Sequence, residues 1–164
     1  MRTWLKLMSA LMVAVVVSHA VPTTANLHTL TPEEIMARLV ADQVLAVITV
    51  WQEAEGEDFD GKTMVAEVIL NRMKRKAAPV PDIVLAAKQF SEWNENDLRS
   101  KRSLTLDDDD AVVQDCIKAW NRAIQGSKLA KGATHYHADY VQPYWASSMK
   151  LVARRGKHLF YVES

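Results

Sequence analysis

Residues 51–62 read WQEAEGEDFDGK, and five carboxylates, Glu53, Glu55, Glu57, Asp58 and Asp60, crowd into this stretch. One apolar run, VLAVITVW, leads in, and a second, MVAEVIL, leads out. General acid catalysis needs a carboxyl group whose pKa is raised toward the working pH. Burial against apolar groups does this by penalising the charged form. The candidate acid should therefore lie closest to the apolar run. Glu53, two residues after Trp51, fits that place best, and Glu55 is next. Glu57, Asp58 and Asp60 flank Gly56 and Gly61 and read as solvated or capping residues. A wholly solvated acidic loop is the bland alternative.

His135-Tyr136-His137 is a second candidate. Histidines two apart on a strand share a face and would make half of a zinc site. A third ligand would have to come from His158 or Asp139. No HExxH motif or cysteine pair supports that. Sugar-contacting or core histidines are the simpler reading, so neither a metal nor another cofactor is expected. Gln89-Phe90-Ser91 with Trp93 is the third. Rings stack on sugar faces while amides and hydroxyls take the sugar hydroxyls, although core aromatics at a helix end would explain these residues equally well. Cys116 is the sole cysteine. It cannot form an intramolecular disulfide, and it reads as a small buried hydrophobe with no activating base beside it.

Several helices must position these residues. Thr31-Pro32-Glu33-Glu34 is a helix start, with Thr31 as N-cap and Glu34 closing a capping box. Apolar residues then recur at Ile35, Leu39, Val40, Val44, Leu45, Ile48 and Trp51, as one helix or as two broken near Asp42. Asp58-Phe59-Asp60-Gly61 reads as a turn. A second helix is expected over Lys62 to Lys74, with an apolar face wide enough to be central and largely buried. Lys74-Arg75-Lys76 complements its C-terminus. A short third helix is expected in PDIVLAAK, followed by an irregular polar stretch from Glu92 to Asp110. Asp107 to Asp110 suit a helix N-terminus and lack the alternating ligands of a calcium loop. The helix they open should end at Gly126. Near the C-terminus, two short runs around Arg155-Gly156 suggest a small hairpin. The fold class is thus mainly α with a small β-hairpin element, α+β.

The chain has 164 residues, 49% hydrophobic and 24% charged, which suits one globular domain. Residues 1–25 read as a secretory signal peptide: Arg2 and Lys6, a short apolar core from Leu7 to Val17, then small residues. That core is shorter than the ~20 residues of a membrane span. Export is expected, to the periplasm, wall or medium, with cleavage after Ala20 or Ala25 and no stable membrane insertion afterwards. Residues 26–164 would form the catalytic domain. They carry 18 basic and 20 acidic residues, about −2, and no basic excess that would favour a nucleic-acid partner.

Glu53-Ala54-x-Gly56-Glu57, then Gly61-Lys62, then Val65-Ala66-x-Val68-Ile69-Leu70-Asn71-Arg72 resembles the SleB-like cell wall hydrolases of the spore-cortex-lytic type. Gln89-Phe90-Ser91, Gly132 to His137, Pro143-x-Trp145 and Gly156-x-His158-x-Phe160-Tyr161 follow in the family's order. The resemblance implies a compact, lysozyme-like catalytic domain that cleaves peptidoglycan glycan strands between N-acetylmuramic acid and N-acetylglucosamine. It implies a lytic transglycosylase that leaves a 1,6-anhydro end, with Glu53 as the catalytic glutamate; a glycosidase using water is the alternative, with Glu55, Glu57 or Asp58 reaching the site. Gln89, Ser91, Thr134, Tyr136 and His137 are the expected sugar-cleft residues, and Asn71 and Arg72 would buttress the site. Glu55 stands where the spore enzymes tend to have Arg, and Arg155 where an apolar residue usually precedes Gly156. A bacterial wall enzyme or a phage lysis enzyme fits better than a germination enzyme. The alternatives are a zinc-dependent amidase or peptidase using His135 and His137, and a non-catalytic glycan-binding module.

Overall fold

The computed structural model of the chain describes residues 30–87, 89, 90, 106, 107 and 109–163. The expected signal peptide, Ser91, Trp93 and most of the polar stretch 92–110 lie outside the described residues. The described residues divide into two units, one up to Val40 and one from Ala41 onward.

Helix α1 spans Pro32–Ala54 without a break at Asp42. It starts on the expected capping box: Glu34 N donates to Thr31 Oγ1 at 3.2 Å, and Thr31 N donates to Glu34 Oε2 at 2.8 Å. Helix α2 spans Phe59–Lys76 and begins earlier than its apolar periodicity suggests. The reason is Asp58, which caps the helix by accepting from Gly61 N at 2.9 Å, so the supposed turn is already helical. Ala77 closes α2 in a left-handed conformation. Helix α3 is the short Val80–Val84. Helix α4, Ala111–Ile124, opens on Asp110, whose carboxylate accepts from Val112 N and Val113 N. Gly126, at φ 98°, turns the chain out of it.

The strands are β1 His135–Ala138, β2 Met149–Arg155 and β3 His158–Glu163, with a 3-10 turn at Tyr144–Ser148. The expected hairpin is β2–β3, and β1 adds to its other side, giving an antiparallel sheet of order β1-β3-β2. His135 faces Tyr161 and Tyr136 faces Phe160 across the ladder. Side chains alternate along a strand. Tyr136, His158 and Phe160 therefore share one face, with ring centroids 5.1 and 5.7 Å from Tyr136 to the other two. His135, His137 and Tyr161 share the opposite face.

Phe160 is the largest fully buried side chain, a burial worth roughly 1.5–3 kcal/mol. It belongs to one core with Val50, Trp51, Val65, Val68, Ile69, Ile83, Cys116 and Trp120. Helix α2 is central to it: every residue from Gly61 to Ile69 is buried. That burial obliges the helix's polar members to find partners. Thr63 Oγ1 donates to Phe59 O at 2.8 Å, and Glu67 accepts from Leu129 N and Ala130 N at 3.0 and 2.7 Å.

Candidate active site

Glu53 occupies the last turn of α1, half-buried between the buried Gln52 and Ala54. The Tyr136 hydroxyl donates to Glu53 Oε2 at 2.8 Å, across 83 residues of sequence. Strand β1 brings Tyr136 there because α2 holds the strand's entry. Asn71 Nδ2 donates to Ala133 O at 2.9 Å, and Arg72 Nε donates to Thr134 O at 2.6 Å. Arg72 is 8% exposed, and its guanidinium lies 4.9 Å from the centre of the Phe90 ring. Burial pulls its pKa below the usual arginine value, while the negative charges available to Tyr136 and Glu53 oppose that shift. Glu53, Tyr136 and Arg72 thus lie within electrostatic reach of one another.

Three of the other acidic residues face elsewhere. Glu57 Oε1 accepts from Lys157 N at 3.2 Å. Asp58 pairs with Arg155 at 2.6 Å, and that hydrogen-bonded guanidinium, helped by Gly61 N, holds its carboxyl below the usual value. Asp60 pairs with Arg122 at 2.7 Å and Arg155 at 3.2 Å. The acidic stretch is therefore neither a solvated loop nor a set of equivalent acids: Glu53 faces Tyr136, and Glu57, Asp58 and Asp60 fasten α4 and the β2–β3 turn. Sequence reading missed these tasks, although the glycine at 156 and the basic residues beside it were a visible signal.

The other expected site residues divide. Thr134 is buried beside Arg72, and its hydroxyl is 3.0 Å from His135 Nδ1. Gln89 is half-buried beside Phe90, which carries the Arg72 guanidinium. Ser91 lies outside the described residues. The structure does not bring His137 to Glu53. Strand alternation turns it to the other face, where it stacks on Tyr161 at 5.2 Å and meets Trp145 at 5.6 Å. Its Nδ1 is 2.9 Å from Ala138 O, which can only accept, so Nδ1 carries the proton. Nε2 then accepts from the Tyr161 hydroxyl at 3.0 Å. Both ring nitrogens are engaged, and among the described residues no three His, Cys, Asp or Glu side chains are grouped to hold a metal.

Residues 56–161 match the family model for cell wall hydrolases. The chain belongs to the cell wall hydrolase family. The matched span begins at Gly56, just beyond Glu53, so the glutamate's assignment rests on its surroundings. Among solved structures, this hydrolase is similar to the catalytic domain of the Bacillus cereus SleB protein, at 25% identity and TM-score 0.60. That match covers 74% of this chain and 89% of the other. The catalytic domain of the germination-specific lytic transglycosylase SleB from Bacillus anthracis matches at 23% identity and TM-score 0.60, over 74% and 93% of the two chains. No curated protein matches. The α+β fold read from the sequence is the fold these domains share. Elsewhere in this hydrolase, burial pushes the Cys116 thiol up to about 12, leaving it protonated and unreactive near neutrality. No helix among the described residues is long and apolar enough to cross a membrane.

Proposed function

We propose that this cell wall hydrolase cleaves peptidoglycan glycan strands between N-acetylmuramic acid and N-acetylglucosamine, as a lytic transglycosylase with Glu53 as its catalytic residue. Glu53 gives its proton to the glycosidic oxygen as the bond from the muramic anomeric carbon to that oxygen breaks. The muramic C6 hydroxyl attacks the anomeric carbon, and its proton returns to the Glu53 carboxylate. The product has a 1,6-anhydro end, no water is consumed, and the acid is regenerated.

The carrying observation is the Tyr136 hydroxyl on Glu53 at 2.8 Å, at the half-buried end of α1. A donor there orients the carboxyl group and supports the anion that exists between the two proton transfers. Arg72, charged at any working pH, supports the same anion. The engagement of Glu57, Asp58 and Asp60 favours a one-carboxylate scheme, since hydrolysis of such a bond usually employs two carboxylates flanking it. Thr134 beside Arg72, and Gln89 next to Phe90, extend the sugar cleft in this reading. Export through residues 1–25 would deliver the enzyme to the wall, in bacterial wall turnover or in phage-driven lysis.

Glu53→Gln keeps the side chain's shape and removes the transferable proton. Its activity on purified peptidoglycan is expected to fall at least ~100-fold, within the span general acid catalysis supplies. Activity equal to the parent's would overturn the assignment. Mass spectrometry should find anhydro-muramic ends; reducing muramic ends alone would replace the transglycosylase with a hydrolase.

A further inference from the structure

We propose that Glu57 is a positioning residue for Glu53, acting through the β2–β3 turn, His158 and Tyr136; this rests on the reading of Glu53 as the acid. The contacts form a closed ring. Glu57 N donates to Ala54 O at 3.0 Å, which ties Glu57 to the residue after Glu53. Its carboxylate crosses to the hairpin and accepts from Lys157 N at 3.2 Å. The next residue, His158, is 9% exposed, and its ring centroid is 5.1 Å from that of Tyr136. The Tyr136 hydroxyl returns to Glu53 at 2.8 Å. Slack at any link alters the last distance.

The seat for Glu57 is shaped by Gly156. A Cβ at that position would lie 1.6 Å from Glu57 Oε2 and 2.6 Å from its Cδ. The carboxylate therefore occupies the space that any side chain at 156 would need. Gly156 also adopts φ 51°, a conformation that L residues rarely hold. Arg155, paired with Asp58 and Asp60, presses the same turn onto the same loop. Solvent and salt screen exposed ion pairs of that kind, so they contribute little. The fit of Glu57 over Gly156, not the surface charges, sets the register between the end of α1 and the sheet.

The experiment compares Glu57→Ala, Glu57→Asp, Glu57→Gln, Gly156→Ala and the double variant Glu57→Ala/Gly156→Ala on soluble glycan strands. It reads kcat, KM, the pH profile and the melting temperature. Glu57→Ala is expected to lower kcat ~10- to 100-fold with KM little changed, the signature of a displaced catalytic group. Glu57→Asp, too short to reach Lys157 N, should behave alike. Glu57→Gln still accepts from Lys157 N and should recover most of kcat. Gly156→Ala should copy Glu57→Ala, because its Cβ expels the carboxylate. The double variant should be no worse than either single one, since both remove the same contact. The basic limb of the pH profile should move upward in Glu57→Ala, because Tyr136 and Arg72 face Glu53 and a displaced Tyr136 no longer favours its carboxylate. Parent-level kcat and pH profile in Glu57→Ala, or losses that multiply in the double variant, overturn the proposal. Should Glu57→Ala fail to fold, parent-level kcat in Glu57→Asp does so instead. Glu53→Gln separates the two readings. If it is inactive while Glu57→Ala turns over normally, only the positioning role falls; if it is active, the acid assignment falls.

Discussion

Glu53 and Tyr136 meet through one hydrogen bond, and that bond can be removed without disturbing the packing around it. Tyr136→Phe keeps the ring against His158 and Phe160 and deletes only the hydroxyl. A hydrogen bond to a charged group is worth ~1.5–3 kcal/mol. If that energy acts on the anion formed during turnover, kcat should fall roughly 10- to 100-fold. The melting temperature should change little, since the apolar contacts remain. A loss of stability with kcat unchanged would make Tyr136 a packing residue only. The sequence marked both residues as chemically interesting but gave Tyr136 a different task, as a sugar contact. No local pattern says that a tyrosine hydroxyl will meet a carboxylate 83 positions upstream.

Helix α2 does for the strands what its apolar face does for the core. Glu67, Asn71 and Arg72 lie along one side of it and hold the backbone of residues 129–134. Glu67→Ala would leave the Leu129 and Ala130 amides without their acceptor inside the protein. A fully buried donor left unsatisfied costs ~1–3 kcal/mol; Ala130 N is buried and Leu129 N only partly so, which lowers its share. The urea midpoint should therefore drop by the equivalent of roughly 2–4 kcal/mol with the slope unchanged. A drop under about 0.5 kcal/mol, the size of an ordinary surface change, would sink the assignment. The helices themselves were legible. Thr31 with Glu34 and Asp110 act as the caps their types suggest, and Gly126 turns the chain out of α4. Asp58 reads as a turn residue and as a solvated or capping one; it does cap α2, but its ion pair with Arg155, 97 positions away, cannot be seen locally. Strand β1 was the least legible element. It is four residues long, and its alternation becomes meaningful only when β3 pairs with it. His137 joins Tyr136 among the expected cleft residues only through the family resemblance; the pleat that puts His135 and His137 on one face turns Tyr136 to the other.

For the molecule as a whole, these placements fix how stability responds to acid. Burial is the main cause holding His158 and His135 below the ordinary 6.5. Glu57 and Asp139 oppose this at His158, while Arg72 reinforces it at His135. The unfolded chain therefore binds more protons than the folded one just below 6.5, so stability rises with pH there. This stabilisation is complete above 6.5 and is lost as pH falls through the folded values. Asp58 acts in the same sense lower down. The Arg155 hydrogen bond and Gly61 N hold it below 3.8, so its contribution is complete above 3.8 and lost beneath it. Glu163, hydrogen-bonded to Arg75, behaves likewise below 4.5. Both carboxylates are exposed, so solvent and salt weaken their share. The melting temperature should be nearly flat from about pH 7 to 8 and fall in two acid steps, one from about 6.5 and one below about 4. Salt at about 1 M should shrink the lower step and leave the upper one, because only the lower depends on exposed ion pairs. His158→Gln should shrink the upper step to the share that His135 supplies. A melting temperature that rises between about pH 7 and 5.5 would contradict the burial of both imidazoles.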